Sequence, residues 1–126
     1  MWSDLHLPQE DKRAVDLVCK FVFDWKPHHQ VIIGDLMDLA GIGRWNEKRF
    51  ISQYQNQISD DFECGNNMLD RIQSLSPKSK TYYIEGNHEW RASEYSERHP
   101  SFEKFVSIPR NLNLIKRGIP YYPYPD

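Results

Sequence analysis

Cysteine is scarce in this chain: Cys19 and Cys64 are the only two in 126 residues. Two cysteines far apart in sequence do not build the disulfide framework of a small secreted fold. Cys19 falls inside a helical pattern and is expected to be buried and reduced, as in cytosol. Net charge is also nearly absent, at −2. That excludes a general basic field for non-specific nucleic-acid binding, though not a local patch. No apolar run approaches the about 18 residues of a membrane span. The N-terminus lacks the charged and apolar regions of a signal peptide. These absences point to a cytoplasmic protein with no membrane partner.

The chain does have the material for a core. Hydrophobic residues make up 39% and aromatic residues 13% of it. At this length residues 1–126 form a single domain, and disorder is not expected.

Apolar periodicity gives the order of elements. Gln9 to Trp25 reads as an amphipathic helix, with Ala14, Val15, Val18, Phe21, Val22 and Trp25 at helical spacing. Gln9, Glu10 and Asp11 fall in its first turn, where the helix dipole favours acidic groups, and Pro27 ends it. Val31-Ile32-Ile33 reads as a buried parallel strand. Asn46 to Leu75 carries Ile51, Tyr54, Ile58, Phe62, Leu69 and Ile72 at helical spacing. Gly65-Asn66-Asn67 should divide or kink that helix. Thr81 to Ile84 is a second strand, Trp90 to Val106 a helix interrupted at Pro100, and Leu112 to Ile115 a further strand. Pro120, Pro123 and Pro125 make the tail extended. This alternation predicts an α/β domain with mainly parallel strands and flanking helices.

Three polar motifs follow apolar runs: Asp4-Leu5-His6, Gly34-Asp35-Leu36-Met37-Asp38 and Gly86-Asn87-His88-Glu89. Ligands of open α/β sheets bind beyond the carboxyl ends of strands, where all three motifs are expected. Carboxylate, amide oxygen and imidazole suit hard to borderline divalent ions. On a strand, Asp4 and His6 would share one face. Each motif also has a plainer reading. Asp4 can merely open a turn, Asp35 can cap a helix, and Gly86-Asn87 can be an ordinary turn.

Taken together, the motifs resemble the front half of the calcineurin-like metallophosphoesterase family, over Asp4 to about Arg91. The resemblance implies part of an αββα sandwich and hydrolysis of phosphate esters, phosphodiesters first, by a two-metal mechanism. The cofactors would be two divalent ions, Mn²⁺ first, with Fe, Zn or Ni as alternatives. Asp4, His6, Asp35 and Asn87 would be ligands, Asp35 bridging both ions. His88, oriented by Asp38, would protonate the leaving oxygen. Arg91 and Arg44 are candidates to grip phosphate, or else are solvated surface arginines. Many members of the family carry Arg where this chain has Leu39. The stretches Gly41 to Trp45 and Glu89 to Arg91 are similar to phage and prophage members, which points to nucleic-acid or nucleotide substrates.

The family's later elements, an isolated His and a Gly-His-x-His, have no counterpart here; after His88 the next histidine is His99, before Pro100. Only Met1, Trp2 and Ser3 precede Asp4, fewer than the about five or six residues of a usual strand. The chain is therefore expected to be a piece of a longer reading frame, poorly active alone and prone to self-association through exposed apolar edges. The alternative is a non-catalytic fragment or degenerate binding module. His28-His29 lies before a buried strand, away from the expected site, and Tyr121, Tyr122 and Tyr124 read as packing residues sooner than base-stacking ones.

Overall fold

The computed structural model describes residues 1–44 and 57–124. Trp45, Ile51, Tyr54, Pro125 and the expected helix start at Asn46 lie outside them. The described chain is mixed α/β, with a small parallel sheet and helices.

Helix α1 spans Lys12–Trp25. It starts later than the composition of its first turn suggests. The Asp11 carboxylate accepts the N–H groups of Arg13 and Ala14 at 3.0 and 3.2 Å, which makes Asp11 the cap and not a helical residue. Lys26 ends it in a left-handed conformation before Pro27. The helix buries Val15, Cys19 and Val22 and leaves Leu17, Val18, Phe21 and Trp25 exposed. Its apolar surface is thus wider than the core it covers.

Strand β1 is His29–Ile33 and strand β2 is Lys80–Ile84; they pair in parallel, His29 opposite Lys80 and Ile33 opposite Ile84. Helix α2, Ile58–Leu75, connects them. It is one continuous helix across Gly65-Asn66-Asn67. Gly65 is buried there because a side chain would press into Met37 Sδ and Leu112 Cδ2, at 2.7 and 2.9 Å from an added Cβ. The Asn66 amide donates to the carbonyls of Phe62 and Asn111 instead of breaking the helix.

The strands are buried on one face only. Gln30, Ile32, Thr81 and Tyr83 are buried, while Ile33 and Ile84 are 39% and 40% exposed. The fully buried strand expected at Val31-Ile32-Ile33 is therefore half right: α2 covers one side, where the Gln30 amide donates to the Ile72 carbonyl at 3.0 Å. On the outer side of β1, Trp2 makes a single parallel bridge to Ile32 and donates its indole N–H to Gln30 at 3.1 Å.

Helix α3, Asn87–Arg98, follows β2 and is succeeded by a 3-10 turn at Pro100–Phe102 and α4 at Glu103–Val106. The break at Pro100 is where the sequence places it. The strand expected at Leu112 to Ile115 is absent. Short helices α5, Ile108–Asn111, and α6, Leu114–Arg117, occupy this region, joined through Asn113 at φ 54°. Leu112 and Leu114 are buried and Ile115 is exposed, the alternation a strand would give. Asn, among the residues that best tolerate left-handed φ, turns the chain between them. The third strand is β3, Tyr121–Tyr122, parallel to β2. Tyr121 packs on Tyr83 with ring centroids 5.6 Å apart.

Among the described residues Cys19 and Cys64 are both free, and Cys19 is buried. Burial raises the Cys19 thiol above its ordinary pKa, so it stays a neutral thiol. No described helix is long and apolar enough to cross a membrane.

Candidate metal centre

Two loops run side by side past the carboxyl end of β1. The N–H groups of His6 and Leu7 donate to the carbonyls of Asp35 and Leu36 at 3.0 and 2.9 Å, and the Asp38 N–H returns a bond to Leu7 at 3.0 Å. These backbone bonds, not a shared strand face, align Asp4 and His6 with Asp35 and Asp38. Asp4 and His6 lie outside regular strand, at φ 52° and 48°, with Asp35 and Leu39 at 53° and 50°. Left-handed backbone at non-glycine residues costs about 1–3 kcal/mol each.

The third segment is the β2–α3 turn, docked by backbone-to-backbone contact. Gly34 holds φ 87°, and a Cβ on it would lie 2.5 Å from the Gly86 Cα. Asp35 then reaches α3, its Oδ1 accepting the His88 N–H at 2.9 Å. It caps that helix from another segment, as the plainer reading allows.

Glu89 is the residue whose role sequence reasoning missed. It is fully buried. Its Oε2 accepts the N–H groups of Asp35 at 2.8 Å and Gly86 at 3.1 Å. Its Oε1 accepts those of Leu36 at 2.8 Å and Met37 at 3.3 Å, and the Tyr83 hydroxyl at 2.9 Å. One carboxylate thus fills a nest of backbone donors from the Gly34–Asp38 loop and the β2–α3 turn. Burial foremost, then the Glu89 charge, raises the Tyr83 pKa well above its usual value, so Tyr83 remains a donor. The signal available in the sequence was a glutamate after His88 at the first turn of a helix, the usual position for accepting a free N–H.

One donor atom from each of His6, Asp35 and His88 lies within 4.8 Å of the others. Donors about 2.0–2.2 Å from one ion are at most about 4.4 Å apart, so a small closure completes this trio. Asp4 Oδ1 stands 3.9 Å from His6 Nε2, within that limit, although Asp4 is largely exposed and also takes the Ser3 hydroxyl. Two imidazoles and carboxylates fit a borderline divalent ion. Asn87 is the first residue of α3 and is exposed.

The expected hydrogen bond between His88 and the Asp38 carboxylate takes another form. His88 Nδ1 bonds the Asp38 backbone carbonyl at 2.8 Å, with the carboxylate Oδ1 at 3.3 Å. The carboxylate is also 3.6 Å from His6 Nδ1. The His6 and His88 rings meet edge to face with centroids 4.4 Å apart. Arg91 donates to the Asp38 carbonyl at 2.8 Å and lies 3.1 Å from His88 Nε2. Arg44 is mostly exposed and pairs with Glu94 on α3. Leu39 is buried in the core and does not enter the site. His28 and His29 lie at the opposite end of β1, His29 against Tyr82.

The chain is similar to two curated phage proteins. It is 29% identical over 115 residues to "Gene 54 protein" of Mycobacterium phage L5 and 31% over 119 residues to "Gene 54 protein" of Mycobacterium phage D29. Each alignment covers 90% of this chain and 44% of the relative, so the chain spans less than half the length of these relatives. No family model matches the sequence. No solved structure matches it either.

Proposed function

We propose that this chain is the metal-binding front half of a metal-dependent phosphoesterase of the calcineurin-like type, acting on phosphate esters, phosphodiesters foremost. The observation that carries the reading is the convergence of His6 and Asp35 from two loops and of His88 from the first turn of α3, with Asp4 beside them. Left-handed backbone concentrated at Asp4, His6, Asp35 and Leu39 supports it, because such strain gathers at functional sites. The phage relatives accord with the similarity to phage-type members.

Asp4, His6 and Asp35 would hold one ion, with Asp35 shared towards a second and Asn87 able to join it. Mn²⁺ suits this set best, with Fe, Zn or Ni as alternatives. Bound divalent ions would supply activated water and neutralise phosphate charge. Arg91 and His88 Nε2 sit side by side, so a phosphate gripped by Arg91 brings its leaving oxygen to His88. A His88 ring protonated at Nε2 as well as at Nδ1 can then pass the Nε2 proton to that oxygen. Nucleotides or nucleic acid are the proposed substrate class. The bare sheet face around Ile33 and Ile84 would receive the second layer of an αββα sandwich, since parallel sheets are normally covered on both faces. The same apolar surface would make the isolated chain self-associate.

The test is hydrolysis of a chromogenic phosphodiester with excess Mn²⁺. The 126-residue protein is expected to turn over little or nothing. A chain extended to the relatives' length should be active, and His88→Asn in it should slow turnover about 10²–10⁴-fold. An extended chain inert towards mono- and diesters would favour a non-catalytic binding module.

A further inference from the structure

The dyad expected from sequence gives Asp38 one client, His88. The geometry points to a second. We infer that Asp38 is a positioning residue for the metal ligand His6, fixing its tautomer as well as that of His88. The inference rests on the metal-site reading and deepens it.

Residue 38 presents two different acceptors. Its backbone carbonyl meets His88 Nδ1 at 2.8 Å. A carbonyl only accepts, so that nitrogen carries the hydrogen and Nε2 keeps its lone pair, which Arg91 faces at 3.1 Å. Its carboxylate Oδ1 lies between the two rings, 3.3 Å from His88 Nδ1 and 3.6 Å from His6 Nδ1. With the backbone carbonyl already serving His88, the carboxylate is available to His6. The 3.6 Å separation lies just beyond hydrogen-bond length, and a small rotation of the His6 ring in the metal-free protein would close it. An Nδ1–H on His6 leaves Nε2 as the ligand atom, on the side where Asp4 Oδ1 stands 3.9 Å away. This is the carboxylate–histidine–metal arrangement, in which the outer carboxylate holds the ring and raises its basicity. It explains why Asp35 and Asp38 share one short loop: the first presents an oxygen to the ion, and the second holds the His6 ring that joins it there, beside His88.

The experiment is long-range ¹H–¹⁵N NMR of the imidazoles in the metal-free 126-residue protein, at a pH where both rings are neutral, with Mn²⁺ titration alongside. His6 and His88 are both expected as Nδ1–H tautomers. In Asp38→Ala, His6 should move towards the Nε2–H form that free histidine prefers in water, while His88 keeps Nδ1–H through the backbone carbonyl. Mn²⁺ affinity should fall about 10–100-fold. Asp38→Asn, which retains a side-chain acceptor, should restore the His6 tautomer. His6 found as Nε2–H in the unaltered protein overturns the inference, and that measurement needs no variant to fold. So does an Asp38→Ala protein whose His6 tautomer is unchanged. If both rings are Nδ1–H but Mn²⁺ does not bind, the positioning role stands and the metal reading falls. Mn²⁺ binding with His6 as Nε2–H gives the reverse.

Discussion

Glu89→Gln is expected to destabilise the protein by about 2–6 kcal/mol and to abolish divalent-ion binding. The glutamine is nearly isosteric, so little packing is lost. What changes is the hydrogen-bond sense at one terminal atom. Glu89 Oε2 accepts from the backbone N–H groups of Asp35 and Gly86. An amide nitrogen there donates and confronts two donors. Turning the amide only transfers the conflict to Leu36, Met37 and the Tyr83 hydroxyl on the other side. Each orphaned buried donor costs about 1–3 kcal/mol. A domain holds only about 5–15 kcal/mol in all, so the loss is a large share of it. Urea melts read the effect, with Glu97→Gln on the exposed face of α3 as a control within about 0.5 kcal/mol of the unaltered protein. A Glu89→Gln midpoint equal to that control would mean that the carboxylate does not organise the two loops.

Gly86→Ala should be comparably severe, for a steric reason. A Cβ on Gly86 would lie 2.5 Å from the Asp35 backbone nitrogen and 2.7 Å from the Gly34 Cα. These are backbone atoms, so no rotamer change relieves the overlap. The β2–α3 turn must withdraw from the Gly34–Asp38 loop, which breaks the bond from the His88 N–H to Asp35 and separates His88 from His6. Overpacking a tight interior costs about 1–3 kcal/mol or more. Mn²⁺ affinity should fall by more than the about 10–100-fold of an outer-shell change. The check is Mn²⁺ titration of the variant at a temperature where circular dichroism still reports folded protein. Unchanged affinity would show that the two loops need not touch for the site to form.

Much of the fold could be read from short-range signals. Pro27 and Pro100 fall at real boundaries, and the apolar runs before Gly34 and Gly86 are the paired strands. Where the reading failed, longer-range contacts decided. Nothing local shows that Gly65 lies under Met37 and Leu112, so the triplet reads as a division or a kink where the helix in fact runs on. The alternating burial of Leu112 and Leu114 mimics a strand, and only the left-handed Asn113 separates the two. In the site, the residue types were legible because few side chains ligate divalent ions. Their partners were not. Period-two logic put Asp4 and His6 together on a strand, whereas left-handed backbone and loop-to-loop bonds align them. The Asp38 carbonyl, not its carboxylate, takes the shorter bond to His88, and no sequence pattern distinguishes the two. Arg91, half-buried on α3, turns inward to that same carbonyl, which its place in the sequence does not announce.

The central claim is that the two loops carrying His6 and Asp35, with the first turn of α3 carrying His88, make one divalent-ion site. Mn²⁺ binding followed by electron paramagnetic resonance tests it most directly, in the 126-residue protein and in His6→Ala, Asp35→Asn and His88→Ala. The account predicts one bound ion per chain in the unaltered protein and, in the His6 and Asp35 variants, a loss beyond the about 100-fold of an outer-shell change. Binding that is absent from the unaltered protein, or equally strong in all four, would contradict it.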